Sequence, residues 1–197
     1  IEKEKNDEIK FILLNDENKL SLAINTIPRD AIVAFDTETT DIDTQKAQIV
    51  GFSFAYEDNI AYYVPISHYY LGAPEQISKN AAKQAIIQLN RHKLVLQNFK
   101  YDYEIIKNNF EIELKLYADT MILSWLLDTN EKVGLDYQID KHFRHKMISF
   151  SDVVKKGENF SNVEISKACE YAAEDALMTL KLFNKQLEIF KEKNEEE

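Results

Sequence analysis

Cysteine, glycine, basic charge and long apolar runs are all in short supply in this chain of 197 residues, and each shortage closes off a class of function. Cys169 stands alone, so no disulfide can form within the chain, and a reducing compartment is expected. Its place in an alanine-rich helical stretch beside Tyr171 marks a packed core thiol rather than a nucleophile. None of the four glycines falls in a GxGxxG or GxxxxGK pattern, which excludes a loop that cradles nucleotide phosphates, and there is no GxSxG elbow. Charge interrupts every apolar stretch before the roughly 18 residues that a membrane span needs, and no basic start leads into an apolar secretion signal. A cytoplasmic setting with no membrane contact is expected. Lysine and arginine number 24 against 34 aspartates and glutamates, and the resulting net charge of −10 opposes a long-range grip on nucleic acid.

What the chain does carry is apolar mass and a particular set of acids. Its 45% hydrophobic and 11% aromatic content can bury one substantial core, and no repeat or low-complexity tract divides it, so residues 1–197 read as a single domain. Three fragments then stand out: Asp36 and Glu38 in FDTET, Asp102 in QNFKYD, and Tyr171 with Asp175 in YAAED. AIVAF, bounded upstream by Pro28, reads as a buried strand, and strand alternation puts Asp36 and Glu38 on one face. KLVLQ reads as a second apolar strand that opens a helix at Asn98, where four-residue spacing would set Asn98 beside Asp102. Tyr171 and Asp175 repeat that spacing in a long helix from about Val163. Hard cations such as Mg²⁺ or Mn²⁺ take oxygen ligands, and a few carboxylates around two such ions make a site that cuts a phosphodiester with water.

The three fragments, in this order, resemble the exonuclease motifs of the tyrosine-bearing branch of the DEDD superfamily, specifically the proofreading 3′-5′ exonuclease domain of bacterial DNA polymerase I. The likeness extends to GFSFAYEDNIAYYVPISHYYLGAPEQIS from Gly51 to Ser78, ADTMILSWLL from Ala118 and HKMISF from His145, and covers most of Ala31 to Leu187. It implies that Asp36, Glu38, Asp102 and Asp175 hold two divalent cations, Mg²⁺ or Mn²⁺, with Asp36 bridging them and Tyr171 orienting the attacking water. It further implies that Glu38 touches the 3′ hydroxyl and that Gln97, Asn98 and Tyr101 line the groove for the last nucleotides. Ile42, where the family has leucine, and Phe150 would pack against the terminal bases. The implied substrate is a single-stranded or frayed DNA 3′ end, and the implied partner is a polymerase domain of the same parent chain in a bacterial cytoplasm. A start at Ile1 and a charged tail, KEKNEEE, fit a piece of that longer polymerase, here a monomer without a polymerase site. RNA trimming by the same residues and a non-catalytic scaffold are the competing functions.

A coarse pass gives the architecture. Lys10–Leu14 reads as a strand, Asp16–Ile27 as a helix, and 31–37, 48–56 and 60–65 as strands joined by brief turns in an antiparallel meander. Ser78 caps a helix to about Asn90, the strand 93–97 follows, then a helix from 98 to 108 and a further strand to which no residues are assigned. Helices occupy 119–127, 135–143 and 163 to about 192. Three strands, then helix, strand, helix, strand describe an α/β fold, a mixed β-sheet flanked by helices, and the family likeness makes it ribonuclease H-like with the acids at one edge of the sheet. Asp41 and Asp43 read as turn residues, Asp119 as a helix cap, and His142 with His145 as a solvated pair, since no further zinc ligand stands nearby.

Overall fold

A computed structural model describes residues 8–195; Ile1 and the last two glutamates of KEKNEEE lie outside the described residues. Five strands fall where the apolar patterning puts them: β1 (Lys10–Leu13), β2 (Ile32–Thr39), β3 (Ile49–Glu57), β4 (Ile60–Pro65) and β5 (Lys93–Leu96). The sixth, β6 (Leu116–Asp119), carries only four residues at the sheet margin, with Leu116 and Tyr117 exposed, so no alternation announces it. The helices are α1 (Glu17–Asn25), α2 (Lys79–Leu89), α3 (Phe99–Phe110), α4 (Thr120–Leu127), α5 (Leu135–Phe143), α6 (Phe150–Val153) and α7 (Ile165–Glu195). Ser78 caps α2 through Ala81 N–H, and Asp16 caps α1 through Lys19 N–H, each satisfying a donor that a helix start leaves free.

The sheet order is β1-β4-β3-β2-β5-β6. β2, β3 and β4 form the antiparallel meander, while β1 joins β4, β5 joins β2 and β6 joins β5 in parallel. β2 is therefore an inner strand rather than an outer one, and Asp36 and Glu38 lie in its second half, toward the strand end where the helix carrying Asp102 also begins. With both faces covered, β2 has no consistently exposed side, which is why AIVAF reads as a continuous apolar run.

Alternation along β2 sorts its residues between two cores. Val33 and Phe35 point into a large core with Phe52, Phe54, Leu20 and Ile24 of α1, Ile86 and Leu89 of α2, and Ile105 and Ile106 of α3. Ala34 points the other way, where Ala55 and Ala61 meet Ala173, Ala176 and Leu177 of α7. Small residues on both partners let helix and sheet approach closely. Asp36 and Glu38 continue the Ala34 register, so β2 presents them to the face on which α7 lies.

Candidate active site

α7 carries Tyr171 and Asp175 one turn apart, and its alanine face brings them down onto β2. Ligand oxygens of Asp36, Glu38 and Asp175 lie within 4.8 Å of one another. Glu38 is buried, and its Oε1 has no hydrogen-bond partner. None of the ion pairs among the described residues involves these acids. A buried carboxylate oxygen left unpaired is costly, and three converging carboxylates repel one another, so the arrangement fits a hard divalent cation.

Asp102 reaches the cluster from the opposite side of the sheet. Thr37 lies between Asp36 and Glu38 and so points to the α3 face, where its N–H (3.1 Å) and Oγ1 (2.5 Å) both donate to Asp102 Oδ1. Asp102 is thus held beside the other three acids but stands apart from their tight group. Asp119 sets the helix that carries it. One carboxylate caps α4 through Met121 N–H (2.9 Å) and also accepts Asn98 N–H (3.1 Å) and Phe99 N–H (2.8 Å), the start of α3. The cap role is legible in ADTM; the second role, about twenty residues away in sequence, is not.

The crowding shows in the protonation equilibria. Burial pushes Asp36 up to about 7, against a backbone hydrogen bond from Thr37. Burial first, and then the charges of Asp36, Asp175 and Asp102, hold Glu38 well above the usual carboxylate range. Asp102 and Asp175 are raised by burial and by Asp36, opposed respectively by Thr37 and by the hydrogen bond from Tyr171. The half-buried Tyr171 hydroxyl is also raised, by burial and by Asp175, Glu38 and Asp36, so it stays protonated at neutral pH.

A cleft of about 470 Å³ opens beside these acids. One wall is the β2 exit from Thr37 to Ile42; the others are Tyr101 from α3 and Phe150, Glu158, Asn159 and Phe160. Ile42 (89% exposed) and Phe150 (51%) present bare apolar surface there. Phe150 stacks on Phe160 at 6.4 Å and meets Tyr171 edge-on at 6.3 Å, so the apolar wall abuts the acid cluster. The Tyr101 hydroxyl donates to the Asp41 carbonyl at 2.8 Å, which ties the Ile42 loop to α3. Gln97 and Asn98 are not among the lining residues. Gln97 donates to Val133 O at 3.0 Å and accepts from Thr120, and Asn98 is exposed in a left-handed conformation (φ 66°) ahead of α3, so the helix begins at Phe99. Four-residue helical stacking of Asn98 on Asp102 is therefore not available.

Gly51, the cross-strand partner of Glu38, is required by a close approach: a Cβ there would lie 2.3 Å from Tyr63 Oη. His68 explains where Tyr63 points. Its Nδ1 lies 2.9 Å from Val163 O and so donates, leaving Nε2 to accept the Tyr63 hydroxyl at 2.6 Å. Burial lowers His68 to about 4, keeping it neutral for that role. Cys169, with burial pushing its thiol up to about 12, is an inert core residue, and His145, its side chain still 40% exposed, also binds Glu174.

Residues 11–189 match the family described as 3′-5′ exonuclease. The chain belongs to that family. It is 35% identical over 180 residues to DNA polymerase I of Borreliella burgdorferi, covering 90% of this chain and 20% of the relative. It is 38% identical over 184 residues to DNA polymerase I of Pseudomonas aeruginosa, covering 89% and 20%. The chain thus spans about a fifth of the length of these curated relatives. Escherichia coli RNase D, an exoribonuclease involved in structured RNA processing, shares the fold, with a TM-score of 0.68 at 16% identity over 93% of this chain and 46% of that one. The 3′-5′ exonuclease is an α/β protein whose six-stranded sheet and flanking helices follow the ribonuclease H-like plan. Among its described residues, no helix is long and apolar enough to cross a membrane.

Proposed function

We propose that this exonuclease removes nucleotides from single-stranded or frayed DNA 3′ ends by two-metal hydrolysis, as the proofreading unit of a bacterial cytoplasmic DNA polymerase I. The observation that carries the reading is the convergence of Asp36, Glu38 and Asp175 within 4.8 Å beside a cleft walled by Ile42 and Phe150. Asp36, Glu38 and Asp175 would hold one Mg²⁺ or Mn²⁺, and Asp36 with Asp102 a second. Bound there, divalent cations lower the pKa of the attacking water and neutralise charge on the phosphate and leaving oxygen.

The chain's own residues do the rest. Ile42 and Phe150 flank the terminal base without reading its edges, because an apolar or aromatic surface accepts every base at about 1 to 3 kcal/mol per stack. Tyr171, protonated and next to Asp175, orients the attacking water through its hydroxyl. Thr37 keeps one Asp102 oxygen occupied, so only the other is free for a ligand. Mispaired ends are preferred because they arrive already unpaired, whereas a good duplex end must first open at a cost of a few kcal/mol. A monomer is the proposed state.

A 5′-labelled oligonucleotide tests the reading. A stepwise ladder with Mg²⁺ and none with chelator is expected; cleavage that ignores chelator, or products of random length, would refute it. Trimming of RNA is the second reading, favoured only by the fold shared with RNase D. Matched DNA and RNA strands separate the two, and faster loss of RNA would replace the first reading by the second.

A further inference from the structure

Phe150 reaches the cleft on a segment, residues 144–149, that has no regular structure. α5 ends at Phe143, Arg144 turns left-handed (φ 54°), and α6 begins at Phe150. The segment is nonetheless fixed from α7. Glu174, 5% exposed, places Oε2 where it accepts Ile148 N–H at 2.7 Å and Oε1 at 2.8 Å from His145 Nε2, which donates. Met147, between the two bonds, is buried in the core that also holds Ala173 and Leu177 of α7. Immediately beyond Ile148, Ser149 and Asp152 form a capping box that starts α6 and sets the direction of Phe150.

Consecutive helix residues point about 100° apart. Asp175 therefore faces the acids of β2 while Glu174, one residue earlier, faces the loop. Both oxygens of Glu174 are engaged by donors, whereas Glu38 keeps a buried oxygen with none, so Glu174 is not a further ligand of the acid cluster.

We propose that Glu174 is a positioning residue that clamps residues 145–148 and thereby holds Phe150 as one wall of the pocket for the terminal base. This rests on the reading of the cleft as the site for a 3′ end. Glu174→Ala should raise KM for a short single strand about tenfold, the order that loss of one stacking contact produces, with kcat and Mg²⁺ dependence changed by less than about twofold. Glu174→Gln, whose amide can still accept from Ile148 N–H and donate to the imidazole, should restore the wild-type KM. Phe150→Ala should raise KM similarly, and combining it with Glu174→Ala should add nothing, because both remove the same wall. Hydrogen exchange of the Ile148 amide, measured by NMR without substrate or metal, should speed up in Glu174→Ala and stay slow in Glu174→Gln. That readout needs no cleavage, so a failure of the nuclease reading is visible separately from a failure of the clamp. If Glu174→Ala does not fold, His145→Ala loses one anchor and should raise KM by a smaller factor that vanishes in the Phe150→Ala background. Any of three results would overturn the proposal: a lower kcat or higher Mg²⁺ requirement at unchanged KM, additive effects of the paired substitutions, or an Ile148 amide protected as in the wild type.

Discussion

Two sets of buried acids lie within this small protein, and they differ in what their oxygens touch. Asp119 accepts three backbone N–H groups, and Glu174 accepts one backbone N–H and an imidazole. Glu38 keeps a buried oxygen with no partner, and Asp102 spends both of its bonds on Oδ1. Residue type and depth are the same in both sets. Satisfied carboxylates join elements together, because each bond removes an orphan donor from the interior. On the proposed reading, unsatisfied ones keep lone pairs for divalent cations, at a cost the rest of the fold must offset. Partners, rather than burial or acidity alone, therefore distinguish the two sets of carboxylates.

The largest contrast should come from deleting one acid of the converging cluster and one of the satisfied set. Asp36→Ala should lower cleavage of a single-stranded oligonucleotide by more than about a hundredfold, since metal ligands matter at least as much as their supports. Its melting temperature in chelator should not fall, because the substitution relieves repulsion among crowded carboxylates. Asp119→Ala should do the reverse, costing about 3 kcal/mol in denaturant unfolding as three N–H groups lose their acceptor, and reducing cleavage only through a displaced α3. Equal destabilisation by the two substitutions would erase the distinction.

A smaller effect follows from pH. Asp36 titrates near 7 when folded against 3.8 for an ordinary aspartate, so between those values the folded form holds a proton that the unfolded form has lost. Stability in chelator should then fall as pH rises through this window, since the folded form binds more protons. Thermal melts at pH 5 and pH 8 measure the slope, which Asp36→Asn should flatten. A slope of opposite sign in the wild type would mean the cluster is compensated after all. The smallest effect should come from Ile42→Ala, an exposed residue: a KM several-fold higher, equivalent to about 1 kcal/mol, equal for all four terminal bases, and no change in melting. A base-dependent KM would contradict stacking.

Much of this was legible in the primary structure, for identifiable reasons. The DTE spacing and the four-residue step from Tyr171 to Asp175 are periodicities, and periodicity is local. The antiparallel meander and the Ser78 cap rest on equally local turn and capping chemistry. What escaped required the third dimension. A strand after α3 is expected, but its residues are not, because β6 is four residues at a margin with nothing to alternate against. The left-handed Asn98 and the grip of Asp119 on the start of α3 depend on a residue about twenty positions away. Thr37 could have been suspected, since a residue between two acids on a strand must face the opposite helix layer, and that layer holds Asp102. Glu174 gave a fainter signal, an acid in an alanine-rich helix at a flank position about 100° from the sheet-facing Asp175.

Binding of Mn²⁺ at pH 8, followed by calorimetry on the wild type, Asp36→Ala and Glu174→Ala, tests the separation of the two sets most directly. Wild type and Glu174→Ala should bind the ion alike, and Asp36→Ala should lose it. Binding that survives in Asp36→Ala, or that disappears equally with Glu174, would contradict the assignment of the clustered acids to the metals.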